Sequence, residues 1–365
     1  MINFDFLPSR QIALYLARLF ITRSLAVLVG LALVLMALDL LGESGKILAV
    51  KGNGEAQIWQ YLSLRLPLLI KFLMPFSVLL GTLIALTGLN SNSEVVAMKA
   101  AGMSAHQILA PLVIASLGVA AINFAFNETV AVRAARILDA WNAVDYRAVP
   151  PDSGVQADVW LRENEDMIHA AQVIGRGPGL RLAGLTIYDR QGTGLKSIVK
   201  AAGATRDGNG WLLRDVATYD VNTLAERRLP TLHALDGVAP DRFTLAKVVP
   251  AEQGFGTLGA SIDALEKSGR PTEEARTGYW HKLSTPLSIV LMPILAALAA
   301  FGLARSGQVL VRAAVGMALG FTFFVVDNVG IALGNAGAYP PFVAAWAPFL
   351  LFFLIGETVL IRTEE

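Results

Sequence analysis

The sequence predicts an α-helical integral membrane protein with six transmembrane helices, in two groups of three, and an inserted all-β, jelly-roll-like domain. Two observations predict this fold class. The apolar residues of the 365-residue chain form one block at each end, with a long polar, strand-like segment between them. Charged residues make up only 16% of the chain, against about 25% in an ordinary soluble domain. A surface that contacts lipid accounts for that deficit.

Each apolar block divides into three stretches of about 20 residues, the length that crosses a bilayer. The predicted spans are 19–41, 62–89, 108–126, 283–304, 313–333 and 342–361. A secretory signal peptide is the competing interpretation of the first span, because three arginines precede it. Its apolar core is longer than the roughly 7–15 residues of a signal peptide, and no small-residue cleavage motif follows it. We therefore interpret it as a retained helix.

Lysine and arginine near the helix ends predict the orientation of the chain. One group falls on a single side of the membrane: Arg10, Arg18, Arg23, Lys99, Arg305, Arg312 and Arg362. Lys46 and Lys51 fall on the other side, where Glu43 and Glu55 accompany them. We expect a multi-pass protein of the bacterial inner membrane with both termini in the cytoplasm and the central domain in the periplasm.

The chain divides into three predicted parts: helices one to three over residues 1–129, the β-domain over 130–278, and helices four to six over 279–365. In the central part, short apolar or alternating runs are separated by glycine-rich turns. These runs are 155–161, 167–174, 185–188, 197–202 and 211–219. Their spacing predicts a sandwich, a jelly roll or a similar open barrel. Residues 130–146 predict a helix leaving the membrane, and 261–267 a short helix that Gly269 ends.

No catalytic motif is recognisable in the sequence. The chain has no cysteine, which excludes disulfides, zinc–thiolate sites and cysteine nucleophiles. Its four histidines lack metal-ligand spacing, and the lysine in 42–47 lacks the spacing and the following hydroxyl of a phosphate-binding loop. The formal net charge of +1 gives no reason to expect nucleic-acid binding. We predict a protein that is not an enzyme and holds no cofactor or metal, so that a partner supplies the energy for any work.

The loop between the second and third predicted spans predicts a short coupling helix over residues 91–103. Ser91 or Ser93 offers an N-cap, and Glu94 lies in the first turn, where the helix dipole favours a carboxylate. Apolar side chains and a final glycine complete it: Val95, Val96, Met98 and Gly102. Two interpretations stay open. The helix is either a connector lying on the membrane surface or a knob that fits a groove in a cytoplasmic partner.

Charged residues in or beside the spans indicate a polar interior, because such groups are unfavourable in lipid. Lysine and arginine suit phosphates, since the hydrogen bonds are charge-assisted. The candidate lipid-binding residues are Lys46, Arg65, Lys71, Arg133 and Arg136. The alternative is that these side chains reach out to lipid headgroups. Asp39 and Asp327 lie near helix ends and are candidates for a gate or for ion pairs between helices.

At the loop, the sequence SEVVAMKAAG over 93–102 resembles the S-E-L-V-x-x-x-A-x-G loop of the LptF/LptG family, the permease subunits of the lipopolysaccharide exporter. Further blocks that resemble this family occur in the same order along nearly the whole chain, at 38–41, 185–189, 265–269, 280–288 and 320–328. They favour the branch of the family that pairs with LptF.

This resemblance implies an ABC-transporter permease that extracts lipopolysaccharide from the inner membrane. Lipopolysaccharide would enter a cavity between this chain and LptF, and pass to LptC and the periplasmic LptA on its way to the outer membrane. Two copies of the ATPase LptB, which bind ATP and Mg²⁺, would drive the cycle through the coupling helices, with Glu94 at the LptB groove. Two alternatives stay open: a permease for another envelope lipid or for lipoproteins, and a membrane-anchored envelope scaffold that transports nothing.

Overall fold

The structure is a computed structural model that describes residues 8–148, 156–163, 165–175, 177–191, 194–221, 223–244, 248–267, 270–302 and 309–362. Within these ranges six helices are long and apolar enough to cross a membrane. One six-stranded antiparallel sheet lies between the third and the fourth of them in chain order. The predicted fold class is confirmed.

The first group of helices extends well beyond its apolar runs. The elements are α1 (Arg10–Ala49), α2 (Glu55–Ser91), the short α3 (Glu94–Ala100) and α4 (Ala105–Phe126), which a π-helical turn (Asn127–Ala131) joins to α5 (Val132–Asn142). α1 has 40 residues and is therefore roughly 60 Å long at 1.5 Å per residue. A hydrocarbon core is about 30 Å thick. The helices therefore project far out of the membrane.

The second group contains α8 (Glu273–Ala297), which continues as a π-helical turn (Leu298–Gly302), α9 (Val309–Asn335) and α10 (Pro341–Arg362). α8 is the centre of the bundle, because 72% of its most apolar stretch is buried, against 11% for α1 and 17% for α9. We call the end of the bundle from which the chain leaves for the sheet the domain end. The opposite end, which carries α3, is the loop end.

Glycines bring α9 close to α2 in the half of the bundle nearer the loop end. A Cβ at Gly320 would lie 2.2 Å from a methyl carbon of Leu79, and one at Gly316 would lie 2.7 Å from Leu83. Only glycine allows this approach, which is typical of helix packing in membranes. Towards the domain end the rings of Phe72, Phe76 and Phe324 separate the same two helices.

The sheet is a meander in which each strand pairs with its neighbours in the chain. The strands are β1 (Gln156–Glu163), β2 (Asp166–Ile174), β3 (Arg181–Gln191), β4 (Gly194–Asp207), β5 (Gly210–Asp220) and β6 (Glu226–Ala234). Its inner face buries Ile168, Leu185 and Trp211, and the short α6 (Pro240–Thr244) covers it through Phe243. The Trp211 indole donates a 2.9 Å hydrogen bond to the Val238 carbonyl.

Two elements differ from the predicted boundaries. β6 was not predicted: it is charged, mostly exposed and contains Pro230, which an edge strand tolerates. The helix predicted from 261 begins at Phe255, as α7 (Phe255–Lys267). Its two early glycines disfavour a helix, but Leu258 is fully buried and stabilises that first turn. Gly269 lies outside the described residues.

Candidate functional site

The short helix predicted over residues 91–103 is present as α3, over Glu94–Ala100. It ends in a Schellman motif: Gly102 has φ 87°, its N–H donates to the Lys99 carbonyl, and the Met103 N–H donates to the Met98 carbonyl. The predicted N-cap position is confirmed at Ser93, but the side-chain capping bond is absent. Ser93 occupies the N-cap position, but its backbone is left-handed (φ 61°) and its hydroxyl makes no capping hydrogen bond, since capping uses an extended backbone.

α3 has an inward and an outward face. Val95 is buried, and Met98 packs on the core of the bundle. On the other side Val96 is 61% exposed, and Ala97 and Ala100 are exposed beside it. We call Val96, Ala97 and Ala100 the α3 outer face. The inward residues fix the helix on the bundle, so the outer face is the part that a partner can contact.

Glu94 is held by the chain itself. The hydroxyl of Tyr15, on α1, donates a 2.9 Å hydrogen bond to one carboxylate oxygen of Glu94. At the same end, His106 of α4 lies 3.6 Å from Glu357 of α10. The first contact ties α3 to α1, and the second ties α4 to α10, so the elements at the loop end are joined to membrane-spanning helices.

At the domain end, Asp39 of α1 and Arg65 of α2 form a bidentate ion pair. The guanidinium donates from Nε and Nη2 to the two carboxylate oxygens at 2.9 and 2.8 Å, and the Tyr61 hydroxyl donates to the same carboxylate at 2.5 Å. Bidentate, charge-assisted bonds are among the stronger polar contacts in proteins. Asp39 therefore fixes α1 to α2, and Arg65 already has an anionic partner.

A second set of bonds joins α1 to the turn that follows α5. Glu43 accepts hydrogen bonds from the Tyr146 hydroxyl at 2.7 Å and from Lys46 at 2.8 Å. Burial, followed by the bond to Glu43, raises the pKa of Tyr146, so this phenol remains a donor at physiological pH. These groups line a polar cleft of about 1530 Å³ at the domain end, which Lys46 and Arg65 also line.

Replacing Asp39 with alanine is expected to lower the free energy of unfolding by about 1.5–3 kcal/mol, the range for hydrogen bonds to charged groups. The reason is that Arg65 and Tyr61 lose their shared acceptor. Detergent-solubilised chain, unfolded by heat with helical circular dichroism as the readout, measures the change. Glu226→Ala is the control, because its pair with Arg228 is exposed. An Asp39→Ala variant as stable as that control would contradict this role.

Inside the bundle, Glu128 connects three parts of the chain. One carboxylate oxygen accepts a 2.8 Å hydrogen bond from Lys282 of α8, whose side chain is only 7% exposed. The other accepts a 2.5 Å bond from the Phe255 backbone N–H, at the start of α7. Nearby, His281 Nε2 lies 3.1 Å from Asp327 of α9. Both acidic residues near the span ends that were predicted as ion-pair candidates, Asp39 and Asp327, thus lie in pairs between helices.

The five candidate lipid-binding residues lie in three places. Lys46 and Arg65 border the domain-end cleft. Lys71 lines an interior pocket of about 420 Å³ between α2, α4, α8 and α9. Arg133 and Arg136 share the exposed face of α5, where Arg136 donates to the Glu252 carbonyl at 3.1 Å. The structure does not join them into one cation cluster within this chain.

Sequence reasoning missed Glu128, Lys282, His281 and the two tyrosines of the cleft. A signal was present for Lys282 and Glu128, because both are charged residues at the margins of apolar runs, and such charges need partners. Among the residues that the structure describes, no group of three or more histidine, aspartate or glutamate side chains is arranged to hold a metal ion.

The bundle of six apolar helices, the sheet inserted between the third and the fourth of them, and the short helix at the loop end define a multi-pass membrane protein with one inserted β-domain. The model of the family described as "Lipopolysaccharide export system permease LptF/LptG" matches residues 14–362. The chain belongs to this family, and is a multi-pass protein of the inner membrane.

Two curated relatives illustrate the match. The lipopolysaccharide export system permease protein LptG of Escherichia coli K12 is 26% identical over 355 residues, which cover 94% of both chains. The protein of the same name from Haemophilus influenzae is 26% identical over 336 residues, covering 86% of this chain and 89% of the relative. Both relatives are LptG proteins, which confirms the predicted branch of the family.

Proposed function

We propose that this chain is the permease subunit of an ATP-driven exporter that extracts lipopolysaccharide from the inner membrane and passes it to a periplasmic bridge. The observation that carries the proposal is the match to LptG over 94% of the chain. The matched region includes the loop end, the bundle and the sheet, so the similarity is not confined to one part of the chain. The termini lie in the cytoplasm and the sheet in the periplasm, as the positive charges favour.

The energy comes from a separate ATPase, the LptB dimer, which holds ATP and Mg²⁺. The α3 outer face supports this assignment, because it presents an exposed valine beside two exposed alanines, while the other face of the helix packs on the bundle. A small, rigid apolar knob suits insertion into a groove. Glu94 lies beside the knob in the first turn of the same helix.

The partner permease is LptF, and it packs against the sparsely covered helices α1 and α9. Those two spans have the smallest buried fractions of the six, 11% and 17%. A detergent pull-down of the tagged full-length chain from its native host tests both partners at once. We expect a paralogous permease of similar size and a soluble ATPase to co-purify. Recovery of the folded chain alone would contradict the proposal and favour an envelope scaffold.

Lipopolysaccharide contacts this chain through phosphate-binding cations at the domain end. Arg133 is the strongest candidate: it is exposed on α5, and among the described residues it has no hydrogen bond or ion pair. Arg65 is the weakest, since Asp39 already neutralises it.

A photo-crosslinking amino acid at Arg133 is expected to capture lipopolysaccharide in cells, because the neighbouring cations attract the phosphates and bring the lipid within reach. Immunoblotting for lipopolysaccharide on the purified adduct measures the yield. Leu33, which is 68% exposed on the membrane-facing part of α1, is the control position. Labelling no stronger than at Leu33 would count against these contacts.

The route to LptC and LptA runs through an open edge of the sheet. Within the described residues β1 and β6 each have only one neighbouring strand, and an unpaired edge is a template for a further strand. Crosslinkers on one of these edges should capture a periplasmic partner, detected by mass spectrometry of the adduct. Adducts with LptF alone, from either edge, would exclude this route.

A further inference from the structure

The interior pocket is long and narrow. Its lining residues follow one face of α8 from Gly278 to Met292 and one face of α9 from Gly320 to Asn335. At 1.5 Å per residue each stretch is roughly 20 Å long. The volume of about 420 Å³ is within the roughly 300–1,000 Å³ that is usual for ligand sites. A cavity of this shape fits one extended chain better than a compact ion.

Lys71, at the domain end of the pocket, lacks a counter-ion of its own. The charges close enough to act on it are those of Lys282 and Glu128, and these two are already paired at 2.8 Å. Asp327 is held by His281, and Glu274 lies exposed at the rim. Among the described residues Lys71 itself makes no hydrogen bond or ion pair. A half-buried ammonium whose neighbouring carboxylates are already paired favours an anionic ligand.

The side-chain oxygens of two asparagines in the same part of the pocket accept no hydrogen bond from the part of the chain that the structure describes. Asn123 is 2% exposed and Asn127 is 7% exposed, both line the pocket, and each has an unpaired side-chain oxygen among the described residues. Most buried polar atoms have a partner. A ligand that fits must therefore bring hydroxyl or N–H donors next to its negative charge.

The rest of the pocket is apolar and has an opening between helices. The rings of Phe72, Phe76 and Phe324 pack at centroid distances of 5.1 to 5.8 Å, and Phe72 is 50% exposed. Deeper in, Met292 and Phe323 line the wall. Because Phe72 both lines the pocket and is exposed, the pocket reaches the surface of the bundle beside this ring, where a lipid tail can enter.

We propose that this pocket binds one acyl chain and the anionic, hydroxyl-bearing phosphate headgroup of a bilayer phospholipid of the phosphatidylglycerol class. The phosphate pairs with Lys71, the headgroup hydroxyls donate to Asn123 and Asn127, and the chain lies along Phe324 towards Met292. A second chain stays outside the seam. This site is inside one subunit, and the inference does not depend on the proposed function.

The test is a titration of the full-length chain, purified in a neutral maltoside detergent, with lysophosphatidylglycerol. The thermal unfolding midpoint should rise saturably with the lipid, because a ligand that binds only the folded state stabilises it. In Lys71→Gln the apparent Kd should be about tenfold weaker, since the charge-assisted bond is lost. Lys200→Gln, at an exposed lysine of β4, should titrate like the wild type.

Two further ligands separate the sources of binding. Lysophosphatidylcholine has the same chain without headgroup hydroxyls or net charge, and glycerol phosphate has the headgroup without a chain. Neither should raise the midpoint. An equal rise with lysophosphatidylcholine would mean unspecific apolar binding, and an equal rise with glycerol phosphate would mean a free-phosphate site. Either result, or an unchanged Kd in Lys71→Gln, would overturn the proposal.

A measurement on the wild-type chain avoids any variant that fails to fold. Phosphatidylglycerol with a photoactivatable group at the end of its acyl chain is incorporated into nanodiscs together with the wild-type protein. After illumination, the labelled peptides are mapped. We expect labelling at Phe323 and Phe324 to exceed that at Leu354, which is 62% exposed on α10. Labelling confined to exposed positions such as Leu354 would overturn the proposal.

Discussion

Replacing Glu128 with alanine is expected to lower the free energy of unfolding by about 3–5 kcal/mol, the range for removing one partner of a buried ion pair. The variant leaves the Lys282 ammonium, only 7% exposed, without its carboxylate, and also leaves the Phe255 N–H without an acceptor. Denaturant or heat titration of the detergent-solubilised chain, followed by circular dichroism, measures the loss.

The double variant Glu128→Gln, Lys282→Met separates the charge from the shape of the site. Because it removes both charges and keeps side chains of similar size, it should recover much of the stability that Glu128→Ala loses. Glu226→Ala, in an exposed pair, should change stability by less than about 1 kcal/mol. A Glu128→Ala chain as stable as Glu226→Ala would show that this pair does not hold α4, α7 and α8 together.

Placing a carboxylate on the α3 outer face, as Val96→Asp, is expected to reduce recovery of the partner ATPase at least tenfold. An unpaired charge buried at an apolar contact is strongly unfavourable, and the centre of an interface carries most of its binding energy. The chain itself should fold normally, because Val96 is 61% exposed. Quantitative co-purification, with the level of the chain measured in parallel, gives the ratio.

Glu94→Ala is expected to weaken the same association or to uncouple ATP hydrolysis from export. Tyr15→Phe removes the 2.9 Å bond to Glu94 but leaves the carboxylate, so a smaller effect than that of Glu94→Ala means that Glu94 contacts the ATPase directly. The control for Val96→Asp is Leu224→Asp, which adds the same carboxylate at a 71%-exposed position of the β-domain. Unchanged assembly and hydrolysis-coupled export in Val96→Asp would contradict the coupling role of α3.

The fold was largely predictable because lipid-facing helices and alternating strands leave direct patterns in composition. The apolar runs gave six helices, and the glycine-rich turns gave five of the six strands. β6 was missed because an edge strand has one unpaired side and tolerates charge and proline. The last turns of α1 and the first turns of α2 were missed because they are partly polar, and contacts between distant parts of the chain, such as that of Ile47 with Tyr61, stabilise them.

The candidate sites were predictable only in part. α3 could be located because the glycine that ends it and its apolar residues are adjacent in the chain. The partners of the charged residues could not be identified, because Glu128 and Lys282 are 154 positions apart and only the packing of α4 against α8 brings them together. For the same reason, the pairing of Asp39 with Arg65 could not be predicted from the sequence, because the packing of α1 against α2 brings them together.

The most direct test of the central claim follows newly made lipopolysaccharide after this chain is depleted in its native host. Pulse-labelled lipopolysaccharide should remain in the inner membrane, while lipoproteins continue to reach the outer membrane. The wild-type chain should restore export, and Val96→Asp should not. Lipopolysaccharide that reaches the outer membrane at the normal rate in depleted cells would contradict the claim. If, in the same cells, lipoproteins stopped reaching the outer membrane, the chain would belong to a transporter of a different envelope cargo.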